Sequence, residues 1–481
     1  MTLKGRRPGD RRVRVERVRV ERIRPVEYRA APPRRVRRPR SPSAVLVGGF
    51  AVIIAIGAVI LMLPMSSASG SWTNPLDALF TATSAVCVTG LVVVDTGTYW
   101  SPFGHVVLLA LMQIGGFGFM TGSTLLLFLL VGRRTALRDR ILAQASTGVP
   151  ELGSVTNVIK RVAVFTIIAE VIGAALLTLA FALSDAADPI EAAWWGIFHA
   201  VSAFNNAGLD LFGDYRSLAD QTDQPVILAT LGVLIVLGGL GFAIVGDIAG
   251  KRRWRGLALE TRVVVLTTAA ILAVGTGAVA VFEWSNPATL GALPEAARPL
   301  NALFEATTLR TAGFSTLPTG ELRDPTLFII MATMFIGGAS GSTAGGIKVN
   351  TFSVLLIAIV STVRGRASAE ALGRRIPTEV VFRALSVALL SIAFVFVVAL
   401  SLELTTPAGI PFIAILFEAI SAFATVGAST GLTPELPDGA RALLIPAMFA
   451  GRLGPLTLVL ALAARAHPVP FRRATETMRI G

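Results

Sequence analysis

Cysteine is almost absent from this chain of 481 residues. Cys87 stands alone, so no intrachain disulfide can form. Histidine is nearly as scarce, and His105, His199 and His467 are too scattered to give the spacing of a metal-ligand set. No nucleophile–base pair, metal triad, dinucleotide fingerprint or nucleotide-binding loop can be read, which argues against an enzyme. Charge is thin too, at 15% of residues against 53% hydrophobic. A soluble domain could not hide that much apolar surface, and long apolar runs bounded by charges read as transmembrane helices.

The charge that is present is unevenly placed. The formal net charge is +13, and residues 1–40 hold 16 basic and 4 acidic residues, so nearly all of it sits in this tail. A secretory signal is excluded, because the tail is too long and too charged before the first apolar run. It reads either as a disordered cytosolic arm that helps fix topology or as a contact for anionic lipid or a cytosolic partner. Nucleic acid is not an expected partner.

Eight long apolar segments fall into four pairs. The first members lie near 44–64, 158–183, 262–284 and 379–404, and the second near 103–131, 225–249, 326–362 and 440–465. Between the members of each pair sits a shorter stretch, such as Asn74–Val86 or Pro299–Arg310. Stretches this short cannot cross a bilayer as helices. They suit re-entrant helices, tolerated only where protein or water shields the backbone. The connections between pairs are basic, with Arg133, Arg134, Arg138 and Arg140, then Lys251, Arg252, Arg253 and Arg255, then Arg364, Arg366, Arg374 and Arg375. Arg465, Arg472, Arg473 and Arg479 follow the last pair, whereas 65–102 has no basic residue. The positive-inside rule therefore puts both termini and the inter-pair loops in the cytosol, with the short segments entering from outside.

An internal repeat runs through these pairs. Leu79-Phe80-Thr81-Ala82 recurs as Ile197-Phe198-His199-Ala200, Leu303-Phe304-Glu305-Ala306 and Leu416-Phe417-Glu418-Ala419. A glycine follows nine or ten residues after each Phe, at Gly90, Gly208, Gly313 and Gly427, with a hydroxyl between them at Ser84, Ser202, Thr308 and Ser421. The predicted fold is an all-α integral membrane protein of four tandem helix–pore helix–helix repeats with pseudo-fourfold symmetry, eight transmembrane helices and four re-entrant pore loops. Its divisions are a basic tail at 1–43, repeats at 44–131, 158–249, 262–362 and 379–465, and a tail at 466–481.

Glycine at this place has a physical reason. A chain turning back from a re-entrant helix must aim consecutive carbonyls at the axis, which needs backbone angles open to glycine. Four such turns make rings of oxygens that can replace an ion's water shell. Helix C-termini aimed at the axis add partial negative charge. The four segments are Cys87-Val88-Thr89-Gly90, Asn205-Asn206-Ala207-Gly208, Arg310-Thr311-Ala312-Gly313 and Ala424-Thr425-Val426-Gly427.

The stretches SAVCVTGL, SAFNNAGL, LRTAGF and SAFATVG resemble the four selectivity filters of the Trk/Ktr/HKT superfamily of potassium transporters. So do GGASGSTAGGIKVNT at 337–351 and GRLGP at 451–455. The resemblance covers essentially all of 44–465, and eight spans place the chain nearer the KtrB branch than the longer TrkH branch. It implies potassium uptake across the bacterial cytoplasmic membrane, with K+ held at the filter carbonyls and no covalent cofactor. It implies a homodimer working with a cytosolic KtrA/TrkA-type regulatory ring that binds nucleotide. Na+ as a coupling or activating ion stays open. In the family a serine at the first filter glycine goes with sodium permeation, so Gly90 leans the reading toward potassium. Cys87 departs from the threonine expected there; it either weakens an inner ion site or is a small residue ending the helix.

The second helix of repeat 3 is too long for one span and contains Gly337-Gly338-Ala339-Ser340-Gly341-Ser342-Thr343-Ala344-Gly345-Gly346, which should break a helix. Close helix packing through small residues is the bland account; the resemblance implies an intramembrane loop that blocks the pore below the filter. Lys348 is either a tethering cation or a residue snorkelling to the interface. Arg452 lies inside the last apolar helix, where an arginine is costly and marks a functional site by default. It is paired with a carboxylate or with loop carbonyls, or, as the resemblance implies, is an electrostatic barrier beneath the filter; the two roles are compatible. Glu305 and Glu418 are expected to hydrogen-bond at pore-helix ends, and Asp95 and Asp210 to raise cation concentration outside. Two other readings are a sodium-permeable or weakly selective relative and a secondary transporter of a small organic solute. Four copies in one orientation argue against the latter, whose repeats are often inverted.

Overall fold

A computed structural model describes residues 42–134, 155–184 and 188–454, with the backbone alone at 42–45, 119, 121–134 and 155–158. Residues 1–41 of the expected tail at 1–43, the expected tail at 466–481, the end of repeat 4 beyond residue 454, and Arg138, Arg140, Arg465, Arg472, Arg473 and Arg479 lie outside the described residues.

Repeat 1 consists of α1 (Pro42–Met62), the short α2 (Pro75–Cys87) and α3 (Pro102–Arg134). Repeat 2 follows with α4 (Val155–Leu183), α5 (Pro189–Asn205) and α6 (Pro225–Lys251). Repeat 3 has α7 (Leu259–Glu283), α8 (Arg298–Thr311), α9 (Asp324–Phe335) and α10 (Val349–Val363). Repeat 4 closes with α11 (Thr378–Thr405), α12 (Phe412–Ala424) and α13 (Asp438–Leu453). Among the described residues, Ile159–Leu183, Pro225–Lys251, Leu259–Glu283 and Thr378–Thr405 are long and apolar enough to cross a membrane. Shorter apolar stretches include Leu46–Met62 and Pro102–Gly118. The expected span at 326–362 is split into α9 and α10 by the glycine run.

The short helices have local causes. Prolines at the start of α2, α5 and α8 fit where no backbone donor is needed, and the Asn74 side chain accepts from Leu76 N at 2.9 Å. At about 1.5 Å per residue, the 13 residues of α2 reach roughly 20 Å. Three of the four end in a left-handed residue, Val88, Asn206 or Thr425, at φ of 54°, 60° and 50°. That conformation is unusual for the β-branched Val88 and Thr425.

Packing closes the repeats into a cycle. Each short helix packs against the second helix of the repeat before it: α5 against α3, α8 against α6, α12 against α9, and α2 against α13. Phe382, Leu389 and Phe396, seven residues apart on α11, are exposed while Ser391 is buried, the polarity expected of a helix facing lipid. A hairpin of Glu370–Ala371 with Arg374–Arg375, turning through Leu372 and Gly373 at positive φ, joins α10 to α11.

Candidate ion pathway

Gly90, Gly208, Gly313 and Gly427 all have positive φ, at 91°, 70°, 79° and 89°. A methyl group built on Gly90 would strike the carbonyl oxygen of Ala207. On Gly208 it would strike that of Ala312, on Gly313 that of Val426, and on Gly427 that of Thr89. The contacts therefore run from each repeat to the next and return to the first. A cavity of about 710 Å³ opens on this ring and is lined by all four glycines. Four non-identical turns thus share one centre, each carrying a main-chain oxygen pressed against its neighbour's glycine.

Side chains from the short helices hold the turns. Gly90 N donates to Ser84 Oγ at 3.0 Å, while Ser202 Oγ and Ser421 Oγ donate to the Leu209 and Ala428 carbonyls at 2.7 and 2.6 Å. In repeat 3 the Thr308 carbonyl does this work, accepting from Ala312 N and Gly313 N. Glu305 and Glu418 are buried and reach the chain beyond the glycines. Glu305 accepts from Thr316 N at 2.5 Å, Leu317 N at 3.0 Å and Thr316 Oγ1 at 2.9 Å. Glu418 accepts from Thr430 N, Ser429 Oγ and Thr433 Oγ1. Both sit within their helices rather than at the ends. His199, at the equivalent position of repeat 2, accepts weakly from Leu211 N at 3.4 Å. Glu305→Ala strands several buried donors and is expected to lower stability by about 3 kcal/mol, read as a drop in melting temperature in detergent; Glu305→Gln should cost markedly less.

Repeat 3 departs from the expected segments. Counted from the repeated Phe, helices α2, α5, α8 and α12 end at the same spacing, at Cys87, Asn205, Thr311 and Ala424. Three residues then lead to the glycine in repeats 1, 2 and 4, counting the glycine itself, but only two do so in repeat 3. The missing one is the left-handed residue; Ala312 has φ of −125° instead. Arg310 is therefore inside α8, in register with Val86, Phe204 and Phe423, not with the first residue of a turn. Its guanidinium leaves the ring and donates to the Gly337 carbonyl at 2.8 Å (Nη2) and the Ile336 carbonyl at 3.3 Å (Nε).

The glycine run forms a non-helical loop directly against the ends of the short helices. Thr343 Oγ1 donates to the Phe204 carbonyl at 3.2 Å, and Ala339 N and Thr343 N donate to the Gly239 and Gly238 carbonyls. A methyl group on Gly345 would strike Thr425 Oγ1, and one on Gly346 would come within 3.3 Å of Ala424 Cα. The fully buried Arg452 donates to the Thr343 carbonyl and, through Nη2, to the Gly115 carbonyl at 3.1 Å. Lys348 donates to the Ala344 carbonyl. Arg452 thus bonds one carbonyl of the loop and one of α3, Lys348 bonds a carbonyl of the loop, and Ser340 N donates to Asn350 Oδ1 at 2.9 Å.

Two groupings were missed, although the first contains Gly337, Gly338 and Arg452, already assigned to the gate, and the GRLGP stretch. Gly115-Gly116-Phe117-Gly118, Gly238-Gly239-Leu240-Gly241, Gly337-Gly338 and Gly451-Arg452-Leu453-Gly454 form a second fourfold motif. Methyl groups on Gly115, Gly238 and Gly451 would strike the Val86, Phe204 and Phe423 carbonyls. Arg452 thus stands where the other copies have glycine, and Gly241, at φ of 73°, breaks α6 beside the loop. The recurring GGxG pattern was the available signal. The second group joins three repeat elements: Asn205 Nδ2 donates to Gln113 Oε1 at 2.9 Å and Glu170 Oε1 at 3.1 Å, and Gln113 Nε2 donates to Glu170 Oε2 at 3.0 Å. Glu170 was visible as a polar residue in an apolar helix, but its partners were not.

Asp95 and Asp210 line the cavity that opens on the ring. Asp95 accepts from Thr98 N and from Tyr215 N, each at 2.8 Å, joining the loops that follow the glycine turns of repeats 1 and 2. Burial lifts the Asp210 carboxyl to about 7, and the nearby Asp95 charge pushes the same way, against hydrogen bonds from Phe212 N and Ser217. In the folded chain Asp210 therefore keeps a proton that the unfolded chain has released. Its ionisation weakens stability as pH rises from about 4 toward 7, while adding negative charge at the mouth. Cation uptake at limiting concentration is expected to rise between pH 6 and 8 by about twofold, and Asp210→Asn should flatten that rise.

A shell of apolar helices around a closed ring of glycine turns is the architecture of an integral membrane transport protein. Residues 37–471 match the family TrkH, described as a cation transport protein. The Ktr system potassium uptake protein B of Bacillus subtilis is 40% identical over 424 residues, 88% of this chain and 93% of that protein. The potassium/sodium uptake protein NtpJ of Enterococcus hirae is 37% identical over 454 residues, 93% of this chain and 99% of that protein. The crystal structure of the potassium transporter TrkH from Vibrio parahaemolyticus shares the fold, with a TM-score of 0.67 and 18% identity over 90% of this chain and 87% of that one. The chain belongs to the TrkH family of cation transport proteins and is a transporter, not an enzyme.

Proposed function

We propose that this chain takes up potassium across the bacterial cytoplasmic membrane, passing dehydrated K+ through the ring of main-chain oxygens at Gly90, Gly208, Gly313 and Gly427. The closed cycle of glycine–carbonyl contacts carries this reading, and the potassium in the names of the relatives agrees with it. Carbonyl oxygens attract a cation without presenting a fixed charge that would trap it. The loop Gly337–Gly346 is the gate and Arg452 its electrostatic bolt, a role supported by the position of the loop against the short helices and by the bonds of Arg452 to Thr343 and Gly115. Both termini are cytosolic by the basic inter-pair loops. The functional unit is a homodimer controlled by a cytosolic nucleotide-binding ring, a reading that rests on the resemblance to the Trk/Ktr/HKT superfamily.

A second reading, sodium permeation or sodium coupling, is favoured by one observation, the potassium/sodium uptake named for the Enterococcus relative. Rescue of a potassium-uptake-deficient bacterium at micromolar potassium tests the main proposal. Gly90→Ser separates the two readings. A side chain there meets the Ala207 oxygen, so a strong loss of potassium-over-sodium preference is expected. An unchanged preference favours the sodium-permeable reading.

A further inference from the structure

Arg310 has no part in the ring, yet it is buried to 6% exposure at the penultimate position of α8. At that position Val86, Phe204 and Phe423 offer apolar side chains and a backbone oxygen. Repeat 3 alone has a cation there, and this is the repeat that carries the broken second helix. The guanidinium spans the first two carbonyls after α9, those of Ile336 and Gly337, where the chain leaves helical form and the loop begins. Those carbonyls have lost their helical partners. A planar fork of donors is suited to holding two adjacent oxygens at once.

The same residue is one step from the ring. Thr311 follows it, and Thr311 Oγ1 is 2.9 Å from the Asn206 side-chain oxygen in the amide orientation that also lets Asn206 donate to Ala203 and Ile235. Ala312, whose carbonyl presses on Gly208, comes next. Because repeat 3 lacks the left-handed residue, no spare residue separates the end of α8 from this oxygen. A displacement of the loop origin either leaves a buried guanidinium without acceptors, which is costly, or moves α8 and with it the Ala312 oxygen. Arg452, by contrast, reaches the loop from the neighbouring repeat 4 and touches its middle, at Thr343.

We propose that Arg310 is a positioning residue that couples the gate to the filter. It clamps the origin of the loop to the end of the third pore helix, so that loop state and ion preference change together. This inference rests on the gate-and-filter reading above.

The test is purified full-length chain in liposomes, measuring 86Rb+ and 22Na+ uptake in wild type, Arg310→Gln, Arg310→Lys and Arg452→Ala. Arg310→Gln is expected to raise Rb+ uptake several-fold and to lower the Rb+ over Na+ preference by about tenfold. Arg310→Lys, which keeps the charge but lacks the fork, should fall between it and wild type. Arg452→Ala should raise uptake with the preference largely kept. If Arg310→Gln elutes as wild type on size exclusion and leaves both quantities unchanged, or raises uptake with preference intact, the coupling role is refuted. If Arg310→Gln does not fold, Arg310→Lys decides: wild-type preference refutes the coupling, and lowered preference with raised uptake supports it. Wild type that passes neither ion would instead overturn the underlying transport reading.

Discussion

Gly313→Ala is expected to reduce potassium uptake by roughly 100-fold or more while the protein still reaches the membrane. Two costs combine at this residue. Its φ of 79° is a left-handed conformation, which costs an L-residue about 1–2 kcal/mol. The added methyl would also strike the Val426 oxygen and come within 2.8 Å of Gly427 C and 2.9 Å of Ala428 N. These are backbone atoms of the next turn, so nothing flexible can yield, and the ring itself must open. A penalty of about 3 kcal/mol on the conducting geometry is roughly a 100-fold loss. Gly246→Ala supplies the contrast. Gly246 lies in α6 with no atom within 4 Å of an added methyl, so transport should be unchanged and stability equal or slightly higher. Uptake assays and melting temperatures on the two variants check both statements, and equal loss in both would show that the ring contacts do not matter.

Arg452→Ala should have a large effect in the opposite direction. The guanidinium is fully buried and braces the loop through Thr343 to Gly115. A fixed positive charge about 4 Å from a passing cation opposes it by about 4 kcal/mol at an effective dielectric constant near 20. Removing it also frees the loop at its middle. Uptake without a regulatory partner is therefore expected to rise tenfold or more in liposomes, and deletion of 339–344 should do likewise. Arg452→Lys keeps the charge and should stay near wild type. Lost bracing also destabilises the chain, so the uptake is normalised to folded protein by size exclusion. An unchanged rate in both Arg452→Ala and the deletion would remove the gate from the account.

The sequence made the repeat legible because two of its marks are chemically constrained. The Phe packs in the interior and the glycine must take positive φ, so both survive where the residues between them drift from Cys87 to Ala424. The glycine run and Arg452 were legible for a related reason, since a broken helix and a buried charge both violate the ordinary rules for an apolar span. What stayed hidden was register. Aligning the turns on their glycines assigned Arg310 to the third turn, whereas the helices align on Phe and the missing residue lies between. The deletion shows in the sequence only as Gly313 lying nine rather than ten residues after Phe304, and which residue of the turn is lost appears in the backbone of Ala312. The second glycine motif was hidden by Arg452 standing in place of a glycine in one copy and by the unwinding of another. The Glu170–Gln113–Asn205 cluster joins residues 57 and 35 positions apart, a long-range meeting that helical periodicity does not encode.

The most direct measurement is cation flux through purified protein in liposomes, with K+, Rb+, Na+ and Li+ compared at equal gradients. A path that replaces hydration water with four turns of main-chain oxygen should pass K+ and Rb+ and retard Na+ and Li+, and Gly313→Ala should stop all four. Flux that ignores ion size, or uptake of an organic solute with no cation flux, would contradict the account.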